Sequence, residues 1–115
     1  MNKPNPFQIE QEIKWENAGD GITRKVFGFN EDIMMVKVKF EKGAIGALHQ
    51  HIHTQASYVE SGVFKITIDG IKNILKAGDG FFVEPNLLHC AVALEAGILV
   101  DVFNPKRADF NKQKS

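Results

Sequence analysis

Only one cysteine, Cys90, occurs in the chain, so no internal disulfide can staple it, and stability must come from packing and from any bound ion. Net charge is also missing, because 14 basic side chains balance 14 acidic ones. That balance argues against a nucleic-acid groove or an anionic membrane surface, both of which need clustered positive charge. No run of about 18 apolar residues is present to span a bilayer, and no apolar segment precedes a cleavage site, so the expected address is cytoplasmic. Internal repeats, low-complexity tracts and convincing amphipathic helices are lacking too. What remains is an apolar content of 43% with nine phenylalanines, enough for one packed core. A single domain over residues 1–115 is expected, its core at about 20–105 and its end a charged tail.

Short alternating runs fill the chain. Met34, Val36, Val38 and Phe40 alternate with Met35, Lys37 and Lys39, the period-two mark of a half-buried strand. Ser57 to Ile68 is rich in β-formers and ends at Asp69-Gly70, a strong hairpin signal, after which Ile71 to Leu75 returns. Phe81 to Val83, His89 to Leu94 and Ile98 to Phe103 read as further strands, the last two parted by a turn at Glu95-Ala96-Gly97. Ile9 to Trp15 fits either an edge strand or a helical turn. Such spacing of strands and turns argues an all-β sandwich or small barrel.

Three of the four histidines, His49, His51 and His53, fall in one stretch, followed by Gln55, while His89 stands apart. In a regular strand all four residues of that stretch would project from one face. Imidazoles suit first-row divalent ions, and an amide oxygen is a weaker ligand than a carboxylate. With four protein ligands at most, one or two positions stay open for water or substrate. The spacing Gly43, five residues, His49, one, His51, three, Gln55, six, Gly62 resembles the first cupin motif, with glutamine in place of the usual glutamate. Gly78 to His89 resembles the second, departing at Glu84 and Asn86, where proline and glycine are usual. The resemblance implies a cupin double-stranded β-helix, or jelly roll. It also implies one divalent transition metal ion (nickel, zinc, manganese, iron or cobalt) held by His49, His51, Gln55 and His89. His53 falls among the motif's spacers and is assigned to support of the ligands or to substrate contact. The alternatives are histidines that merely hydrogen-bond in the core, and a Gln55 that never touches the ion.

Leu99, Asp101 and Phe103 share one face of the final strand, and Val100 and Val102 the other. A carboxylate among apolar neighbours is costly unless paired or solvated, so the Asp101 face is expected at the mouth and the valine face in the packed core. Arg107, after Asn104-Pro105, could fold back over that mouth or pair with Asp109 at the surface. Tyr58, on the parity of Phe64, is read as core or mouth lining, and Cys90 as packing on the side of its strand away from His89. The histidine stretch with Tyr58-Val59, the Pro85-Asn86 turn before His89, and the run Asp101-Val-Phe-Asn-Pro-Lys-Arg-Ala-Asp-Phe110 together resemble the small cupins of the KdgF pectin-degradation family. Thr54 and Leu88 depart from it.

This narrower resemblance implies an isomerase-type enzyme that opens 4,5-unsaturated uronates to linear 4-deoxy-5-keto sugar acids. Asp101 would transfer the proton and Arg107 hold the sugar carboxylate, with Phe103, His53 and Tyr58 contacting the ring. The expected partners are an acidic sugar and a second copy of the chain. Another metal-dependent cupin enzyme, such as a dioxygenase or sugar isomerase, and a non-catalytic acid-binding cupin remain open, because the fold hosts many chemistries.

Overall fold

Period-two alternation becomes antiparallel strand along most of the chain in the computed structural model, which describes residues 5–49 and 52–105 and, at Leu48 and His49, the backbone alone. The strands among the described residues are β1 (Glu16–Gly19), β2 (Ile22–Phe29), β3 (Met34–Phe40), β4 (Ile45–His49), β5 (Thr54–Ile68), β6 (Ile71–Lys76), β7 (Gly80–Val83) and β8 (His89–Asn104). The undecided segment before β1 holds one 3-10 turn, Glu10–Glu12. At the β5–β6 hairpin Asp69 and Gly70 both take positive φ, 50° and 80°, the backbone that an Asp-Gly turn favours because it matches the strand twist.

The two long strands build two layers. Residues 54–61 of β5 pair with 98–104 of β8, between β3 on one side and β7 on the other; β2 and β1 extend that layer beyond β3. Residues 63–68 of β5 pair with 89–95 of β8, flanked by β6 and β4. Between the layers lies a core of Ile22, Phe40, Val59, Phe64, Ile66, Ala93 and Leu99. Phe40 and Phe64 meet edge to face there, with centroids 5.2 Å apart. This is the all-β jelly roll that the motifs imply.

The expected turn at Glu95-Ala96-Gly97 does not exist, since these residues run inside β8. Glycine is needed there for closeness rather than for a turn. A Cβ on Gly97 would run into the Ser61 carbonyl oxygen, and one on Gly62 would lie 2.6 Å from the Ala96 oxygen. Gly62 also has φ +85°, and the β5–β8 register shifts on both sides of it. At this irregularity the buried parity of β5 changes, from Gln55, Ser57 and Val59 before it to Phe64 and Ile66 after it.

The N-terminal segment covers the outer face of β2 and β3. Lys37 Nζ lies 3.0 Å from Glu10 Oε1 and 2.9 Å from Glu60 Oε1, while Lys25 donates to the Glu10 carbonyl at 3.1 Å. Lys25 and Lys39 each place their ammonium 4.7 Å from the Trp15 ring centroid, a double cation–π contact. The hydrogen bond from Lys37 is the main reason the Glu10 carboxyl is held below its ordinary range. Burial alone would depress Lys37, but its bonds to Glu60 and Glu10 outweigh that and raise it.

Candidate active site and metal centre

Register brings the chemistry together. Ser57 of β5 stands opposite Asp101 of β8, and Gln55 stands opposite Phe103. Alternation turns all four side chains inward, where exposure is 6% for Gln55, 8% for Ser57, 9% for Asp101 and 2% for Phe103. The face carrying Leu99, Asp101 and Phe103 is therefore the interior one, and Val100 and Val102 are only half buried, a reversal of the packing expected for this strand. The buried carboxylate is tolerated because it is paired: the Ser57 hydroxyl donates to Asp101 Oδ1 at 2.6 Å. Gln55 Nε2 in turn donates to Ser57 Oγ at 2.9 Å. Since the single hydroxyl proton is committed to Asp101, Ser57 can offer Gln55 only a lone pair. The amide nitrogen must then face Ser57, and the carbonyl Oε1 is turned the other way.

His89 opens β8 after a tight turn in which Asn86 takes φ +68°. That left-handed conformation accounts for the glycine usual at this motif position, and asparagine is among the side chains that tolerate it best. His89 is 5% exposed, and its Nδ1 lies 2.9 Å from the Leu87 carbonyl oxygen. A carbonyl can only accept, so Nδ1 carries the hydrogen, and in the neutral ring Nε2 is then the lone-pair nitrogen, the atom through which such a ring ligates metals. The backbone of His49 pairs directly with that of His89 across β4 and β8. The donor set thus fits a divalent transition ion in two respects: His89 is locked in the ligating tautomer, and Gln55 has its amide nitrogen already engaged. Among the described residues no three His, Cys, Asp or Glu side chains converge. The His49 side chain and the whole of His51 lie outside those residues, as does Arg107.

The strand does not stay regular through the histidine stretch. Ile52 and His53 form a bend, so His53 does not share the face of Gln55 by simple alternation. Its half-buried ring makes a T-shaped contact with Phe103, with centroids 6.4 Å apart and planes at 77°. Tyr58 is a correction: it is 52% exposed on the outer face, because the irregularity at Gly62 breaks the parity that linked it to Phe64.

A cavity of about 410 Å³ opens between the layers, lined by Gln55, His89, Asp101 and Phe103 with an apolar wall that includes Phe40, Phe81 and Leu99. Cys90, although expected to face away from His89, contributes to the lining. So does Arg24, 4% exposed, whose Nε donates to Glu16 Oε1 at 2.9 Å. Sequence reasoning overlooked both Arg24 and Ser57. Each carried a signal: Arg24 shares parity with the core residue Ile22, and Ser57 shares it with Gln55.

A family model described as a cupin domain matches residues 36–103. The chain is 51% identical over 106 residues to the pectin degradation protein KdgF of Dickeya dadantii (strain 3937), covering 90% of this chain and 96% of that one. Among solved structures, an RmlC-like cupin from Shewanella frigidimarina NCIMB 400 superposes with a TM-score of 0.92 at 44% identity, covering 96% of this chain and 99% of the other. KdgF from Halomonas sp. superposes with a TM-score of 0.89 at 39% identity, over 93% and 99% of the two chains.

Proposed function

Because the chain belongs to the cupins and, among them, to the KdgF family of pectin degradation proteins, we propose that it opens the ring of 4,5-unsaturated uronates to linear 4-deoxy-5-keto acids. The observation that carries this reading is a buried carboxylate, Asp101, in the lining of the same cavity as Gln55 and His89. Opening requires one proton to leave the anomeric hydroxyl as the bond from C1 to the ring oxygen breaks. A carbonyl forms at C1, and the ring oxygen departs as the enolate at C5. One proton must then arrive at C4 to leave the C5 ketone. Asp101 takes the first proton and returns it to C4, so the enzyme ends unchanged and the reaction is a net isomerisation. General acid–base work of this kind contributes about 10²- to 10⁴-fold in rate.

Phe103 supplies a flat apolar wall for the carbon face of the sugar, and its T-shaped contact with His53 holds that wall in place. The substrate carboxylate meets the Arg24 guanidinium in the cavity lining, and Arg107 is its second partner. His49, His51, Gln55 and His89 are the residues that would hold a divalent transition ion, which when bound supplies Lewis-acid polarisation of sugar oxygens. The working form is a homodimer. An apolar row on the outer face supports it, running from Met35 through Val102 and Ala56 to Phe82 across β3, β8, β5 and β7.

An ultraviolet time course on the unsaturated monouronates released by pectate and alginate lyases tests the function, with metal-loaded protein and a chelated control. Accelerated loss of the conjugated chromophore, abolished by chelation, is the expected result. A metal-loaded protein that leaves both sugars at their uncatalysed rate would overturn the reading.

A further inference from the structure

We propose that Ser57 is a positioning residue that joins the amide expected at the metal to the carboxylate expected to move the proton, an inference that rests on the ring-opening reading above. Its hydroxyl is the central member of a buried chain, Gln55 Nε2 to Ser57 Oγ at 2.9 Å and Ser57 Oγ to Asp101 Oδ1 at 2.6 Å. The direction of every bond in that chain follows from one fact. An ionised carboxylate only accepts, so the serine proton points to Asp101 and the serine lone pair points to Gln55.

Two consequences follow for the site. Gln55 cannot present its nitrogen to the cation, because that nitrogen is spent on Ser57; its oxygen is the ligating atom. Asp101 receives the serine proton on Oδ1, which helps set where the carboxylate meets the sugar. A single short side chain therefore sets the geometry of two groups with different tasks. The register of the sheet explains why it can. Ser57 lies two residues from Gln55 on the same face of β5 and directly opposite Asp101 on β8, so only a side chain with its donor and acceptor on the γ atom spans both gaps.

The role is separable from packing. Removing the hydroxyl takes away the acceptor of the Gln55 amide nitrogen and a donor to Asp101 Oδ1, without emptying appreciable volume. Partners that orient ligands in this way commonly change metal affinity or activity about 10- to 100-fold when lost.

The test uses Ser57→Ala and Ser57→Thr in the full chain, with three readings: kcat and KM on the unsaturated monouronates, nickel or zinc affinity by calorimetric titration, and thermal unfolding. For Ser57→Ala, kcat is expected to fall at least about tenfold with KM little changed, and ion affinity to fall by a similar factor. Ser57→Thr, which keeps a γ hydroxyl, is expected to recover most of both losses. A folded Ser57→Ala with wild-type kcat and wild-type ion affinity would overturn the proposal, as would a Ser57→Thr no better than alanine. If Ser57→Ala does not fold, Ser57→Cys keeps the volume while weakening the donor, and the same readings decide. A wild-type protein that binds the ion but turns over no uronate would sink the function alone; the calorimetric comparison would then still judge whether Ser57 orients Gln55.

Discussion

Asp101 illustrates how a single charged residue redefines its strand. Hydropathy alone assigns the valine face of β8 to the core, because a carboxylate is costly to bury. Pairing with Ser57 removes most of that cost, and the interior face becomes the one bearing Leu99, Asp101 and Phe103. The partner is 44 residues away in the chain, which is why alternation within β8 could not disclose it. Its proposed role has a sharp test. Asp101→Asn preserves shape and still accepts the serine hydroxyl, but it cannot shuttle a proton, so ring opening is expected to slow about 10²- to 10⁴-fold while ion content by elemental analysis stays at the wild-type level. A variant with its ion and its full rate would exclude Asp101 as the proton carrier. Gln55, His89, Asp101 and Phe103 were legible because spacing and parity are local properties. Arg24 carried the same parity signal as Asp101 and is buried against its partner Glu16.

At the scale of elements, the hairpin at Asp69-Gly70 and the alternation of β3 were readable because each depends on neighbours in sequence. The turn expected at Glu95-Ala96-Gly97 and the placement of Tyr58 share one cause. Gly62 and Gly97 are required where β5 and β8 approach too closely for a Cβ, a tertiary demand that looks like turn chemistry when read along one strand. The same irregularity misled the placement of Tyr58. The N-terminal segment is tied down by charge, which makes its contribution dependent on pH. Glu10 is held below its ordinary value of 4.5, so the stability it contributes is present above that pH and is lost as pH falls through the lower, folded value. Lys37 is raised above 10.5, so its contribution is complete below that pH and fades as pH climbs through the folded value. Glu10→Gln is therefore expected to lower the melting temperature slightly at neutral pH, with the difference from wild type shrinking below pH 4.5. Calorimetric scans from acid to neutral pH check this, and a difference that stays constant across the acid range would show that the Glu10 charge is not involved.

For the molecule as a whole, the apolar row on the outer face has a definite consequence. Met35 is 38% exposed and Phe82 55%, at the two ends of the row, and Tyr58 beside it on β5 is 52% exposed. A second copy of the chain laid against this row would cover it, as the proposed homodimer requires. Phe82→Glu puts a charge at its edge and is expected to yield a monomer in sedimentation velocity, against twice the chain mass for the wild type. Wild type sedimenting as a monomer at micromolar concentration would discard the dimer.

The pairing of β5 with β8 also governs when the protein can first act. His89 and Asp101 both ride on β8, while Gln55 and Ser57 ride on β5, far earlier in the chain. A ribosome that has released everything through β7 has produced a nascent polypeptide with half of the site and no opposing strand to complete it. Neither pair has its counterpart until β8 emerges and docks between β3 and β5. Premature termination anywhere before that strand therefore yields a product without the proposed chemistry, and catalytic activity serves as a report that translation has passed β8.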